Sequence, residues 1–385
     1  MTPRSASIES VVPTSAEHQV STDSIAKYRI FTIGASQLCG SIAQRWDELR
    51  EQSAQYSSPY FDIEFTKAVC RVRDDIEIAI AVDEEECIQA FLPFQRVARR
   101  RAVPVGGRLS DLHGLMVSAD VGDDLMKQIL RSANLKSYAF HAGLKIDSDL
   151  ASHEFEVLDS YFMDLADGWD AYFQWARSNS YAVKRQAQKT RALEREVGPI
   201  RFEFDCECHE VLEELIALKR AKYQRSKTFD ILGVEWAAEL LREIAKINKP
   251  DFQGILSALW AGDELVAVHF GMISGDILHY WFPVYVPKFS KYSPGTELML
   301  RVAEGAVENE VLKVDLGFGD DPYKTRFCNG REQVCSGRYG FSRIGFEAAK
   351  RKYELRKKLK RIPLKPLAKK VLRGIFPGYG QWHFK

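Results

Sequence analysis

Between residues 200 and 340 the apolar positions keep changing period, and each change marks an element. Arg201–Asp205 alternates like a short strand. Over 208–226 the spacing becomes helical and puts Val211, Leu212, Leu215 and Leu218 on one face. The stretch 235–247 repeats this with Trp236, Leu240, Leu241 and Ile244. Three apolar, β-branched runs follow at 253–260, 265–273 and 277–284, the first two joined by Gly262-Asp263-Glu264, a good hairpin turn. A helix is predicted from Gly295, burying Leu298, Met299, Val302, Ala303 and Ala306. Strand Val311–Leu316, a Gly-rich loop and a last strand near 333–340 complete the order.

The first half reads as a looser version. Tyr28–Ile33 predicts a strand, 38–53 a helix carrying Trp46 and Leu49, and Ser57-Ser58-Pro59-Tyr60-Phe61 a loop opening a second helix. Ile78–Val82 and Cys87–Phe94 form a hairpin across the acidic turn Asp83–Glu86. A short helix near 122–132 and strands near 137–142 and 155–162 follow. Residues 168–199 read as one helix from Trp169 to the Gly198-Pro199 stop, bridging the halves. The expectation is an α/β chain with mixed sheets, one architecture used twice. Its parts would be a tail (1–26), an N-terminal domain (27–167), a helical connector (168–199), a C-terminal domain (200–344) and a basic extension (345–385).

A chain of 385 residues suits two domains, and 45% hydrophobic residues suit a real core. The net charge of +1 conceals an asymmetry. Residues 345–385 hold 13 of the 54 Lys+Arg with only Glu347 and Glu354 as acids, leaving 41 bases against 51 acids elsewhere. An acidic body argues against specific nucleic-acid binding. The Ser- and Thr-rich start lacks a basic region followed by an apolar one, so a cytoplasmic protein is expected. No apolar run reaches the roughly 18–20 residues of a membrane span. The seven scattered cysteines suggest reduced thiols, and the tight Cys206-Glu207-Cys208 pair is a poor zinc motif, so no metal is expected.

Candidate chemistry concentrates in 265–327. Tyr292-Ser293-Pro294-Gly295-Thr296 opens a helix, whose free N–H groups and positive dipole end suit a pyrophosphate; a plain capped helix is the other reading. In the strand 265–273, alternation separates a core face (Val266, Val268, Phe270, Met272) from a small, polar one (Ala267, His269, Gly271) fit for a ligand. His269 is either a general base or a hydrogen-bonded structural histidine. Tyr280 and Tyr292 are candidate proton donors to a leaving thiolate, or core aromatics. Asp315, ahead of the Gly-rich loop, either orients an acceptor amine or caps the loop. Lys324 stabilises carbonyl charge, grips a phosphate, or is a solvated base, and Arg326 shares these alternatives. Lys184 and Arg185 either hold an anionic acceptor together with Lys189 or form a solvated face. P-loop, His-Glu-x-x-His and Gly-x-Ser-x-Gly motifs are absent.

Tyr292-Ser-Pro-Gly295, Asp315-Leu-Gly-Phe-Gly319 and Tyr323-Lys-Thr-Arg-Phe327, with Trp46, Leu49, Ser58-Pro-Tyr-Phe61 and Leu92-Pro-Phe94, resemble the CelD/BcsL-type acetyltransferases. These GNAT-superfamily proteins are related to the FemABX peptidyltransferases and associated with bacterial cellulose and exopolysaccharide synthesis. The resemblance runs over roughly residues 40–342. It implies tandem GNAT-like folds, an acyl-CoA donor (acetyl or longer) and an amine acceptor, small or sugar-linked, serving polysaccharide or envelope synthesis. The usual Gln/Arg-x-x-Gly-x-Gly/Ala loop is missing, with Gly295 the one glycine at the helix start, which leans toward the FemABX side. Two other readings follow: an aminoacyl-tRNA-dependent transferase, and a non-catalytic assembly factor of a polysaccharide synthase. The basic tail suggests a peripheral contact with the inner membrane or an acidic protein, or else a solubilising extension.

Overall fold

The computed structural model describes residues 28–118, 124–144, 153–319 and 321–361. The expected N-terminal tail and the end of the basic extension, with Pro363 and Pro366, lie outside the described residues. The described chain divides into two units. One holds 28–56, 73–156 and 335–361; the other holds 57–72 and 157–334.

The first unit runs β1 (Arg29–Ile33), α1 (Gly40–Glu51), β2 (Ile76–Val82), β3 (Ile88–Ala98), β4 (Arg101–Pro104), β5 (Met116–Val117), α3 (Leu125–Ser132) and β6 (Ser137–Leu144), with α2 (Ile63–Val72) assigned to the second unit. Strands β1 to β4 pair in sequence, antiparallel, and β4 then pairs β6 in parallel across the α3 crossover. Helix α3 turns Leu125, Met126, Ile129 and Leu130 onto a core with Ala79, Ala81, Leu92 and Phe94.

The second unit repeats this order more fully. It holds β7 (Glu154–Asp164, from Val157), α4 (Trp169–Asn179), α5 (Tyr181–Glu196), β8 (Ile200–Glu203), α6 (His209–Ser226), α7 (Glu235–Ala245) and β9 (Asn248–Lys249). After these come β10 (Phe252–Ala261), β11 (Glu264–Ser274), β12 (Ile277–Tyr285), α8 (Pro294–Glu308), β13 (Lys313–Phe318) and α9 (Lys324–Phe327). Strand β14 (Gly330–Gly340) passes to the first unit at Cys335, where α10 (Arg343–Arg361) follows. The sheet order is β7-β13-β12-β11-β10-β8, with β9 paired to β10. Every pair is antiparallel except β12–β13, which the α8 crossover makes parallel.

Three features differ from the sequence expectation. The 168–199 stretch is two helices, because Ser180 is extended (φ −123°, ψ 115°) and ends α4 while starting α5. Nor is it only a connector: Tyr172, Ala176, Val183 and Leu193 are buried in the second unit's core with Leu298, Val302 and Ala306 of α8. Finally, β11 has no open face. Val266 through Ile273 are all buried, His269 completely, because α6 and α8 both pack on this strand. Alternation separates two faces but cannot show that one is wet.

Candidate active site

The site is built where β12 and β13 meet. They pair at Ile277–Lys313, Leu278–Val314 and His279–Asp315 and then part, although β12 continues to Tyr285 and β13 to Phe318. The last paired residues are also joined through their side chains: His279 Nδ1 lies 3.1 Å from Asp315 Oδ2, while Asp315 Oδ1 accepts the Gly317 N–H at 2.8 Å. Burial pushes the Asp315 carboxyl up, but the bond and charge of His279, with the Gly317 amide and Lys313, outweigh it and hold the group below the usual carboxylate range. Asp315 thus ties the strands together and caps the loop. The Tyr60 ring stands edge-on to His279 at 4.9 Å.

Tyr280 is the first residue past this fork. Its ring stacks on His269 at 4.1 Å and 8°. Ser257 on β10 gives its hydroxyl proton to Phe204 O (2.7 Å), so at the 3.5 Å contact with His269 Nδ1 it is an acceptor. That contact favours the Nδ1–H tautomer and leaves Nε2 as a bare lone pair. Both His269 Nε2 and the Tyr280 hydroxyl are buried without a hydrogen-bond partner among the described residues. Burial, then His279 and Lys219, hold His269 well below the ordinary imidazole value, so it is neutral at pH 7. Burial raises Tyr280 well above the ordinary phenol value, so it keeps its proton. Space at this point comes from Gly271: a Cβ there would lie 2.3 Å from His279 O and 2.7 Å from His269 Cε1. Strand β11 bulges at the same place.

A residue not singled out in the sequence completes the group. Lys219, on α6, is only 7% exposed. Its Nζ donates to Pro283 O on β12 (3.2 Å) and lies 5.3 Å from the Phe282 ring centroid. Burial, reinforced by Lys222, brings the ammonium down to about 7. Lys219 follows Leu212, Leu215 and Ile216 at helical spacing, and that was the available signal; Leu218, expected on this face, is only half-buried.

The other predicted positions are placed as follows. Lys324 is buried, and its Nζ donates to Gly317 O (3.1 Å) and Phe318 O (2.6 Å), clamping the end of β13. Arg326 is exposed. The Tyr292 hydroxyl donates to Glu196 (2.6 Å), which commits its proton. Ser293, with left-handed backbone (φ 53°), precedes α8 and accepts from Lys189 Nζ at 2.5 Å. The N–H groups of Thr296 and Glu297 both turn back to Ser293 O (2.9 and 3.4 Å), and Pro294 has none. The amide cradle expected past Pro294 is therefore reduced to the Gly295 N–H. A Cβ at Gly295 would meet only Tyr285 Cδ1 at 3.6 Å, so packing does not demand glycine there. Lys184 and Arg185 are exposed on α5; Arg185 bonds Tyr181 one turn back. Among the described residues no group of three His, Cys, Asp or Glu side chains could hold a metal.

Residues 180–325 match the acetyltransferase (GNAT) domain family, a stretch that runs from α5 to β13 and takes in the candidate site apart from Tyr60. The crystal structure of FemX is similar at 10% identity and a TM-score of 0.56, covering 84% of this chain and 100% of that one. The structure of L-PGS from Bacillus licheniformis is similar at 13% identity (80% and 96% covered, TM-score 0.48). A tandem GNAT protein of the clavulanic acid biosynthesis pathway is similar at 10% (81% and 98% covered, TM-score 0.46). The FemX likeness establishes the fold; the two lower scores carry no weight. No curated protein matches the sequence. The domain match over residues 180–325 supports an N-acyltransferase, and the FemX likeness shows the fold. The finer CelD/BcsL resemblance is not among these matches.

Proposed function

We propose that the second unit transfers an acyl group from an acyl-CoA thioester, acetyl or longer, to an amine acceptor at the β12–β13 fork. The observation that carries this reading is the parting of the strands beside two buried proton-exchange groups with unused valence, His269 Nε2 and the Tyr280 hydroxyl. Past His279, the flank of β12 that faces β13 has no strand partner among the described residues. Apart from Pro283, which has no N–H and whose carbonyl Lys219 takes, its backbone groups are available to the amides of an extended thioester arm and to the charge that develops on the carbonyl. The neutral Nε2 accepts a hydrogen bond from the attacking amine. Lys219, titrating near neutrality, takes that amine's proton as the C–N bond forms. Tyr280 supplies the proton to the thiolate released when the C–S bond breaks. Gly295 lets a phosphate approach the start of α8, with Lys189 next to it at Ser293.

The acceptor in this proposal is a small or sugar-linked amine of polysaccharide or envelope synthesis, which the sequence resemblance supports, with its anionic part along the exposed Lys184 and Arg185 of α5. A cytoplasmic location suits the donor and the seven free cysteines. Among the described residues no helix is long and apolar enough to cross a membrane.

Calorimetry with acetyl-CoA and longer acyl-CoAs tests the proposal. Micromolar binding is expected. Gly295→Val should weaken it at least tenfold with an unchanged melting curve, since the position has room for a Cβ. Silence across all donors would favour an assembly factor, and binding of charged tRNA without CoA an aminoacyl transferase; either refutes the proposal.

A further inference from the structure

Helix α10 has one face committed to its own unit. Phe346 packs on His153 and Phe155 with centroids 5.8 and 5.3 Å apart, and Tyr353 on Phe155 at 5.5 Å. Tyr353 also donates to Glu156, which pairs with Lys357. The opposite face is not covered by any of the described residues. Ile344 is 84% exposed and Leu355 47%, the two lying three turns apart with Ala348 and Arg351 between them. Arg343 and Lys358, both exposed, extend this face at either end.

We propose that this face of α10 is a docking surface for an anionic lipid bilayer, lying in the interface with Ile344 and Leu355 inserted. Two branched aliphatic side chains bordered by Arg343, Arg351 and Lys358, three bases against the two exposed acids Glu347 and Glu354 on the same flank, suit a surface that is negative outside and apolar just beneath. The following segment argues for the same occupant. Residues 362–385 carry Lys365, Lys369, Lys370, Arg373 and Lys385 with no acid, and Phe376, Tyr379, Trp382 and Phe384, the aromatic types that favour the membrane–water boundary. An anionic membrane attracts the helix and this segment together. The inference does not depend on the chemistry proposed for the second unit.

The test is sedimentation of the full chain with vesicles of phosphatidylcholine alone or with 30% phosphatidylglycerol. Binding is expected only to the second kind, falling steeply between 0.1 and 0.5 M NaCl as screening shortens. Replacing one of Arg343, Arg351 or Lys358 with Gln should lower the partition coefficient about fivefold. Ile344→Asp with Leu355→Asp should lower it tenfold or more while the melting temperature and CoA binding stay unchanged. The proposal fails if binding ignores phosphatidylglycerol, if the double variant binds like the parent, or if the chain binds soluble polyglutamate but not vesicles.

Discussion

Lys219→Met removes a buried amine while nearly preserving its volume, and its effect on stability follows from proton linkage. The folded amine titrates near 7, against 10.5 for an unhindered lysine. The gap corresponds to about 5 kcal/mol at 1.36 kcal/mol per unit. Below pH 7 the group is charged in both folded and unfolded chains, and the cost of burying that charge is complete. Between 7 and 10.5 only the unfolded chain holds the proton, so stability climbs with pH; above 10.5 the slope vanishes. Methionine has no such slope. At pH 6 the variant should be the more stable by several kcal/mol, less about 1 kcal/mol for the lost hydrogen bond to Pro283 O. Between pH 6 and pH 9 the difference should narrow by about 3 kcal/mol. Urea unfolding of both chains at the two pH values measures this directly. A difference that stays constant with pH, or a variant less stable at pH 6, would show that Lys219 does not carry the burial cost assigned to it. Acyl transfer by the more stable variant should fall by about 10² or more.

Other expectations follow from the same geometry. His269→Gln should lower turnover by about 10² with donor binding unchanged in calorimetry, as for loss of the acceptor that orients the attacking amine. The acyl-transfer rate should rise with pH through a midpoint near 7, and Lys219→Met should abolish that limb. Gly271→Ala forces a Cβ against His279 O at 2.3 Å and should cost about 1–3 kcal/mol in thermal or urea unfolding. Lys324→Met leaves Gly317 O and Phe318 O without their donor. Stability should drop by about 1–3 kcal/mol, with activity lost through disorder of the loop rather than through the donor's phosphates.

Most elements of the second unit were legible because amphipathic periods and turn residues act locally. The runs at 208–226, 253–260, 265–273 and 277–284 correspond to α6, β10, β11 and β12 within three residues at each end. The site was less legible for reasons of distance and class. His279 and Asp315 stand 36 residues apart and meet only through the parallel register of β12 and β13. Lys219 counts as polar in any hydrophobic pattern, so the pattern passed over a lysine that the fold had buried. His269 was visible as a candidate. Its burial, its bare Nε2 and its stacking on Tyr280 depend on α6, α8 and Ser257, none of them its sequence neighbours. The break at Ser180 was missed because neither Gly nor Pro marks it.

Pro283 sits inside a central strand, opposite His269, with no N–H to offer a neighbour and its carbonyl taken by Lys219. A strand carrying such a residue cannot zip to a partner along its full length, whatever is bound. The parting begins earlier, after His279, and Pro283 keeps the far part of that flank from being laddered. An acyl donor bound there as proposed would break no ladder between β12 and β13 to enter, so its association should show no slow step of strand separation.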